Sequence, residues 1–190
     1  ITPTPTHAPS PTQTPSPIPA TPTQPPTPTP TAIITTVPTT VFVTTSVLVL
    51  QGRDYPAASK NLSGIVSIQN TTNQWNANIV NGVISNLPLT NTTPGPLAVV
   101  IKPEGYLSRE VTQILVTGPN TISLSGIVFC AGDIDNNAVV NSFDYSELLK
   151  DYGKGAGKSD LDGSGQVNSL DFSLLLSNFF ETPATQECTL

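Results

Sequence analysis

The stretch that decides the reading of this chain is 132–153, GDIDNNAVVNSFDYSELLKDYG, because it recurs 27 residues later as 159–180, SDLDGSGQVNSLDFSLLLSNFF. From Asp133 and Asp160 onward, nine of 21 aligned positions are identical, among them Asp133/Asp160, Asp135/Asp162 and Asp144/Asp171. Copied carboxylates at fixed spacing, each set followed by a copied apolar pattern, describe a duplicated metal-binding half-unit. A solubilising acidic tail would not be periodic in this way.

In a twelve-residue calcium loop the ligands come from places one, three, five, seven, nine and twelve, the seventh through its backbone carbonyl. The first copy offers Asp133, Asp135, Asn137, the Val139 carbonyl, Asn141 through water, and Asp144. The second offers Asp160, Asp162, Ser164, the Gln166 carbonyl, Asn168 and Asp171. Hard oxygen donors in this number suit Ca²⁺, one ion per loop, whereas Mg²⁺ keeps more of its water. A set without His, Cys or Glu is a poor one for Zn²⁺. The sharp turn at the sixth place wants glycine. Gly165 provides it, but the first loop has Ala138 there, for which a left-handed backbone is costly. Ser164 in turn lowers the charge of the second loop, so the two sites are expected to differ in affinity. After each loop, Tyr145, Leu148, Leu149 and Tyr152 repeat as Phe172, Leu175, Leu176 and Phe179. That spacing puts them on one helical face and predicts a core shared by two helices.

Charge is distributed unevenly. Residues 1–40 hold 13 of the 20 prolines and 14 threonines, and no Asp, Glu, Lys or Arg precedes Arg53. Residues 130–190 carry ten acidic against three basic residues, which locates the net charge of -6. An acidic excess of this kind points to cations and away from nucleic acid. Residues 1–32 are expected to form an extended Pro/Thr-rich arm or linker of polyproline II character, a composition also typical of O-glycosylated stalks. Sequons at Asn61, Asn70 and Asn91 are weak signals in an Asn/Thr-rich chain. A start at Ile1 suggests a removed leader or a fragment. The longest apolar run, Val41 to Leu50, is too short for a membrane span.

From Ala32 the texture becomes β-branched. Val41, Val43, Val47 and Val49 alternate with Phe42, Leu48 and Leu50, which predicts a strand buried on both faces. Runs at Leu62–Gln69, Ala77–Leu87, Leu97–Lys102, Val111–Thr117 and Thr121–Phe129 follow, punctuated by Gly, Pro and Asn. Six or so short strands with regular turn signals predict an antiparallel β-sandwich over 33–129. The expected fold is therefore mainly β plus small α, with the calcium loop–helix pair over 130–190. Cys130 and Cys188 bracket that pair. They are either two unrelated thiols or a staple, and the bracketing favours the staple. A closed loop of this length is worth about 4 kcal/mol in chain entropy and implies an oxidising compartment.

Two resemblances follow. VLVLQGR, NGVISNLPL, PLAVVIKPEGYLSREVTQILV and NTISLSGIVFCAGDIDNN, within about Val47–Phe129, resemble the prealbumin-like, carboxypeptidase-regulatory type of sandwich. Its members are binding or structural modules and are often followed by a dockerin. Both loops end in Asp, and each leads into a single helix pattern with no helix before the loop. In this they resemble dockerins, whose loop–helix unit is duplicated about a pseudo-twofold axis. That resemblance implies that the two ends of the module lie close together. It also implies cohesin-facing positions at Ser142, Phe143, Leu149 and Lys150, and at Ser169, Leu170, Leu176 and Ser177. Phe143 and Leu170 are apolar where surface is expected, so they cover either a cohesin or this chain's own sandwich.

Catalysis is not expected. The one histidine, His7, lies in the Pro/Thr tract, and Glu104 and Glu110 read as strand surface charges. Two non-enzymatic readings remain. In the first, the chain is a secreted structural protein, a calcium-stabilised building block of an extracellular filament or surface assembly. Ile33, Ile34 and Val37 would then insert into a neighbouring copy's sandwich. In the alternative, it is a dockerin-bearing adaptor that binds a cohesin in a cellulosome-like complex. The sequence contains no catalytic or carbohydrate-binding module to deliver, and 33–43 holds more strand-forming sequence than one strand needs. On these grounds the building block is the expectation at this level. Either way the location is extracellular or at the cell surface.

Overall fold

A computed structural model describes residues 40–53 and 61–188. The β-branched opening forms two strands rather than one: β1 (Val41–Thr45) and β2 (Val49–Leu50). Val41, Val43 and Thr45 are buried before the break, Leu48 and Leu50 after it, and Val47 is exposed between them. The break is held by the Ser46 amide donating to the Ile122 carbonyl (2.9 Å) and by Ser46 Oγ accepting from the Leu124 amide (2.8 Å). This one-residue phase change corrects the expectation of a single strand buried on both faces. Each short strand buries one face, and alternation read across the break mixes the two.

The run Ala77–Leu87 likewise resolves into separate pieces. They are β4 (Gln74–Val80), β5 (Val83–Ile84) and β6 (Leu87–Leu89). Asn81 and Gly82 turn β4 into β5 with φ of 49° and 76°, the pair of left-handed residues that a tight hairpin demands. β3 (Leu62–Ile68), β7 (Gly95–Pro103) and β8 (Arg109–Leu115) complete a five-stranded sheet in the order β5-β4-β3-β7-β8, antiparallel throughout. Its register aligns Leu62 with Ile79 and Val66 with Ile101. Since side chains alternate across a strand, this puts one apolar row on one face.

A three-stranded sheet, β6-β1-β9 with β9 at Gly118–Ile122, and a two-stranded pair, β10 (Val128–Phe129) with β2, supply the rest. Here the antiparallel expectation needs refinement, because β1 pairs in parallel with β9, and β2 with β10. Parallel neighbours need a long crossover, and everything from β3 to β8 serves as one. Val41, Val43, Leu89 and Ile122 from these strands join Val66, Ile79, Val99 and Ile101 in one buried apolar cluster. The architecture is mainly β with two short helices, α1 (Ser142–Asp151) and α2 (Ser169–Ser177).

Sandwich and loop–helix module belong to the same compact unit, and the apolar cluster runs on through Cys130, Ile134, Val140, Leu148, Leu161 and Leu175. Tyr106, in the β7–β8 turn, bridges to Ala131. The Leu107 amide donates to the Cys130 carbonyl and the Gly132 amide to the Gly105 carbonyl, both at 2.8 Å. Gly105 needs to be glycine: φ is +79°, and a Cβ would meet the Lys158 carbonyl at 2.8 Å. Asn178, the buried C-cap of α2, donates to Gln51 Oε1 (2.5 Å) and the Ala131 carbonyl (2.7 Å). Among the described residues no helix is long and apolar enough to cross a membrane. Ile33, Ile34 and Val37, assigned to a neighbour's groove, lie outside the described residues, as does the 1–32 arm.

Candidate metal centres and docking face

Each loop is built from side chain to backbone hydrogen bonds that only oxygen-bearing residues at these spacings can make. In the first, Asp135 Oδ1 accepts from the Asn137 amide (3.0 Å), Asn137 Oδ1 from the Val139 amide (2.9 Å) and Asn141 Oδ1 from the Phe143 amide (2.8 Å). In the second, Asp162 Oδ1 accepts from the Ser164 amide and Asn168 Oδ1 from the Leu170 amide, both at 2.8 Å. Asn136 and Ala138 take φ of 64° and 67°, their counterparts Gly163 and Gly165 φ of 71° and 97°. The chain therefore follows the same left-handed turns in both copies, and only the second has glycines there. Ser164 turns its hydroxyl onto the Gln166 carbonyl (3.1 Å).

Asn141 and Asn168 are also helix N-caps. Asp144 and Asp171 close reciprocal capping boxes by accepting from the cap amides, at 2.8 Å in each case. This satisfies the orphan donors of a helix start, so each twelfth-place carboxylate ties its loop to its helix. Asp144 also accepts from the Ile134 and Asp135 amides (2.7 and 3.0 Å), and Asp171 from the Asp162 amide (3.0 Å). Sequence reading assigned Asn141 and Asp144 as ligands and missed this second role, although Asn-x-x-Asp before an apolar run is a capping signal.

The structure brings the predicted acids together. Carboxylate oxygens of Asp133, Asp135 and Asp144 lie within 4.8 Å of one another, and so do those of Asp160, Asp162 and Asp171. Asp133, Asp144, Asp160 and Asp171 are buried. Like charges at such range repel by roughly 3 kcal/mol per pair at an effective dielectric near 20. Burial raises the carboxyls of Asp144 and Asp171 above the usual range, with backbone hydrogen bonds pulling the other way. Neither oxygen of Asp133 has a hydrogen-bond partner, though Lys102 Nζ approaches Oδ2 at 3.0 Å outside hydrogen-bonding geometry. A buried, under-satisfied carboxylate inside a cluster of acids is what a hard divalent cation would satisfy, so the residues present fit Ca²⁺.

Two basic side chains that sequence reading missed reach the loops from the sandwich. Buried Arg53 donates through Nε to the Tyr106 hydroxyl (2.9 Å) and the Leu161 carbonyl (3.0 Å), and through Nη2 to the Asp160 carbonyl (2.5 Å). Gly163 lets the guanidinium in, since a Cβ there would lie 2.8 Å from Nη1. Lys102 reaches Asp133; burial lowers its ammonium's pKa, and that carboxylate opposes the shift.

The helices bury less than their periodicity predicts. Leu148 and Leu175 are fully buried. Tyr145 and Phe172 pack on each other with ring centroids 5.6 Å apart, and both are half-buried, as is Phe179. Leu149, Leu176 and Tyr152, expected in the core, are exposed. The correction has a simple cause. Each helix turns a single side toward the body: Leu148 on α1, and Leu175 with half-buried Leu174 on α2, while Leu149 and Leu176 fall outside it. What remains outside is a matched pair of faces: Ser142, Phe143, Ser146, Leu149 and Lys150 on α1, and Ser169, Leu170, Ser173, Leu176 and Ser177 on α2, every residue exposed. Phe143 is 68% and Leu170 61% accessible, so no described residue of the sandwich covers them. Phe180, also missed, stands where the first copy has Gly153. It shares that residue's left-handed backbone (φ 75° against 79°) and leaves its ring 75% exposed.

Cys130 and Cys188 form a disulfide with Cα atoms 5.5 Å apart, closing the module at its two ends. Glu110 accepts from Gln69 Nε2 on the sheet surface; it and Glu104 face no histidine or thiol among the described residues.

No protein family description matches the sequence, and no curated protein matches it. Among solved structures, two type II cohesin–X-dockerin complexes from Acetivibrio cellulolyticus contain chains of similar fold. One, an N-terminal interface mutant, matches at 19% identity and a TM-score of 0.51, over 77% of this chain and 97% of that one. The other, a C-terminal interface mutant, matches at 20% identity and a TM-score of 0.53, over 77% and 99%. A type II cohesin–dockerin structure from Bacteroides cellolosolvens aligns at 35% identity over 27% of this chain and 85% of that chain, but its TM-score of 0.26 says nothing about the fold. What this chain shares with the first two is the fold: a mainly β body with a small helical module.

Proposed function

We propose that this chain is the docking segment of a cellulosome-type assembly, a non-catalytic adaptor whose calcium-loaded module binds a cohesin. The observation that carries the reading is the matched pair of exposed helix faces, each starting from a loop with three clustered acids. The fold neighbours, described as cohesin–X-dockerin complexes, support it. They support adaptor over building block, whose self-inserting arm rested on residues 33–37.

The ligand sets are those of the sequence: Asp133, Asp135, Asn137, Val139, Asn141 and Asp144, and Asp160, Asp162, Ser164, Gln166, Asn168 and Asp171. A bound Ca²⁺ would supply the positive charge that lets each set of acids remain ionised and close together. The chain's residues do the rest. Asp144 and Asp171 pass the order of each loop to its helix through the capping boxes. Leu148, Leu175 and the Tyr145–Phe172 contact hold the helices together. Phe143 with Leu149, and Leu170 with Leu176, then present apolar anchors flanked by serine hydroxyls. Exposed aromatic and aliphatic anchors on rigid elements are the usual energetic centres of interfaces. In this reading 1–32 is a linker, 33–129 the sandwich and 130–190 the docking module, the last two acting as one body. The disulfide suits an extracellular or cell-surface location.

Titration of type II cohesin domains into the chain in calcium, by calorimetry, tests the proposal. Tight binding to at least one cohesin is expected. Phe143→Asp with Leu170→Asp, both at exposed positions, should weaken it at least a hundredfold without changing the melting temperature. If no cohesin binds while the chain alone forms filaments, the building-block reading replaces this one.

A further inference from the structure

Each calcium loop is met by one basic side chain of the sandwich, at the same point of the repeat but by different chemistry. Arg53 binds the second loop at the Asp160 and Leu161 carbonyls. Lys102 lies 3.0 Å from Asp133 Oδ2, against 3.4 Å from the Asp133 carbonyl. It is fixed there: β7 holds its backbone opposite Ile65, and Nζ also donates to the Tyr106 carbonyl. The ammonium therefore sits against one oxygen of a fully buried carboxylate that shares its cluster with Asp135 and Asp144.

We propose that Lys102 is a resident counterion of the first cation site, which holds loop one folded when calcium is absent and opposes calcium when it binds. The idea rests on the reading of the loops as calcium sites and adds a regulation to it. Three buried or half-buried acids without a cation repel one another, and Lys102 offsets part of that repulsion. A divalent ion bound to Asp133 lies about 2.4 Å from its oxygen, and so only a few ångströms from an ammonium that cannot withdraw. Like charges at that range, away from bulk water, cost affinity. The first site is then the weaker one for two reasons, Ala138 and Lys102. Loop one stays attached to the sandwich at calcium levels that leave it empty.

The test uses the full chain with Lys102→Met, which keeps the apolar stem, and Lys102→Arg, which keeps the charge. Calcium titration by calorimetry, with Asp162→Ala as background to isolate the first site, should show about tenfold tighter binding for Lys102→Met and near wild-type binding for Lys102→Arg. Melting in excess chelator should move the other way, with Lys102→Met melting lower than wild type. Unchanged or weaker calcium binding by Lys102→Met overturns the proposal, and so does an unchanged melt in chelator. Absence of calcium binding by the wild-type chain would sink the calcium reading itself. A lower chelator melt for Lys102→Met in that case would leave Lys102 a structural ion pair and nothing more.

Discussion

Ala138→Gly should stabilise the protein, because Ala138 holds a left-handed backbone with φ of 67° that its Cβ resists. For a residue with a Cβ that conformation costs about 1–2 kcal/mol, and glycine removes the cost. Glycine also gives the unfolded chain more freedom, which returns roughly 0.5–1 kcal/mol. The net gain is then about 0.5–1 kcal/mol, and for a body of this size 1 kcal/mol moves the melting temperature by roughly 2–4 °C. The repeat provides its own control. Gly165 occupies the same place in the second loop with φ of 97°, so Gly165→Ala should lower melting by at least as much as Ala138→Gly raises it. Scanning calorimetry in saturating calcium reads both. If Ala138→Gly melts at or below wild type while Gly165→Ala is silent, the left-handed turn is not strained and the reasoning is wrong.

Phe180→Gly relieves the same left-handed backbone but also removes the edge-to-face contact of its ring with Phe179, centroids 4.8 Å apart, worth about 0.5–1.5 kcal/mol. Melting should therefore shift by no more than about 2 °C; a larger fall would mean that the contact outweighs the strain. Arg53→Met should cost about 2–4 kcal/mol, because it strips a buried donor from the Asp160 and Leu161 carbonyls and from Tyr106; a two-state denaturant melt checks this. Separating Cys130 from Cys188 by Cys→Ser at both should cost about 4 kcal/mol in chain entropy, and peptide mapping without reductant should find the two joined. In chelator, acidification from neutrality toward the ordinary carboxylate range should stabilise the module. Asp144 and Asp171 have raised pKa values in the fold, so the folded state takes up protons first, and stability falls as pH rises through that window. In excess calcium the trend should reverse as protons displace the ion. Glu147 and Asp151, lowered by Lys150 and Lys158 and by Ser159 respectively, lose their contribution only below that window.

The two clusters of acids were legible because their pattern is written in spacing. Twelve positions decide a loop, and a second copy at constant offset removes coincidence. The strands were legible as a class but not one by one. The phase change at Ser46 and the turn at Asn81-Gly82 each cut an apparent run, although the Asn-Gly pair was a signal available in the sequence. The parallel partners β9 and β10 could not be read, since pairing across the whole sandwich leaves no local mark. Helical periodicity misassigned Leu149 and Leu176, because it shows which residues share a face and not how wide a face is covered. Lys102 and Arg53 were invisible for a related reason: each meets its loop only once the β7–β8 turn and the end of β2 have packed against the module.

A direct count of calcium on the chain at neutral pH is the measurement closest to the centre of this account. The account predicts two ions per chain, one in a variant carrying Asp160→Ala and Asp171→Ala, and a melting temperature that falls when chelator is added. No bound calcium, with a melt indifferent to chelator, would contradict it.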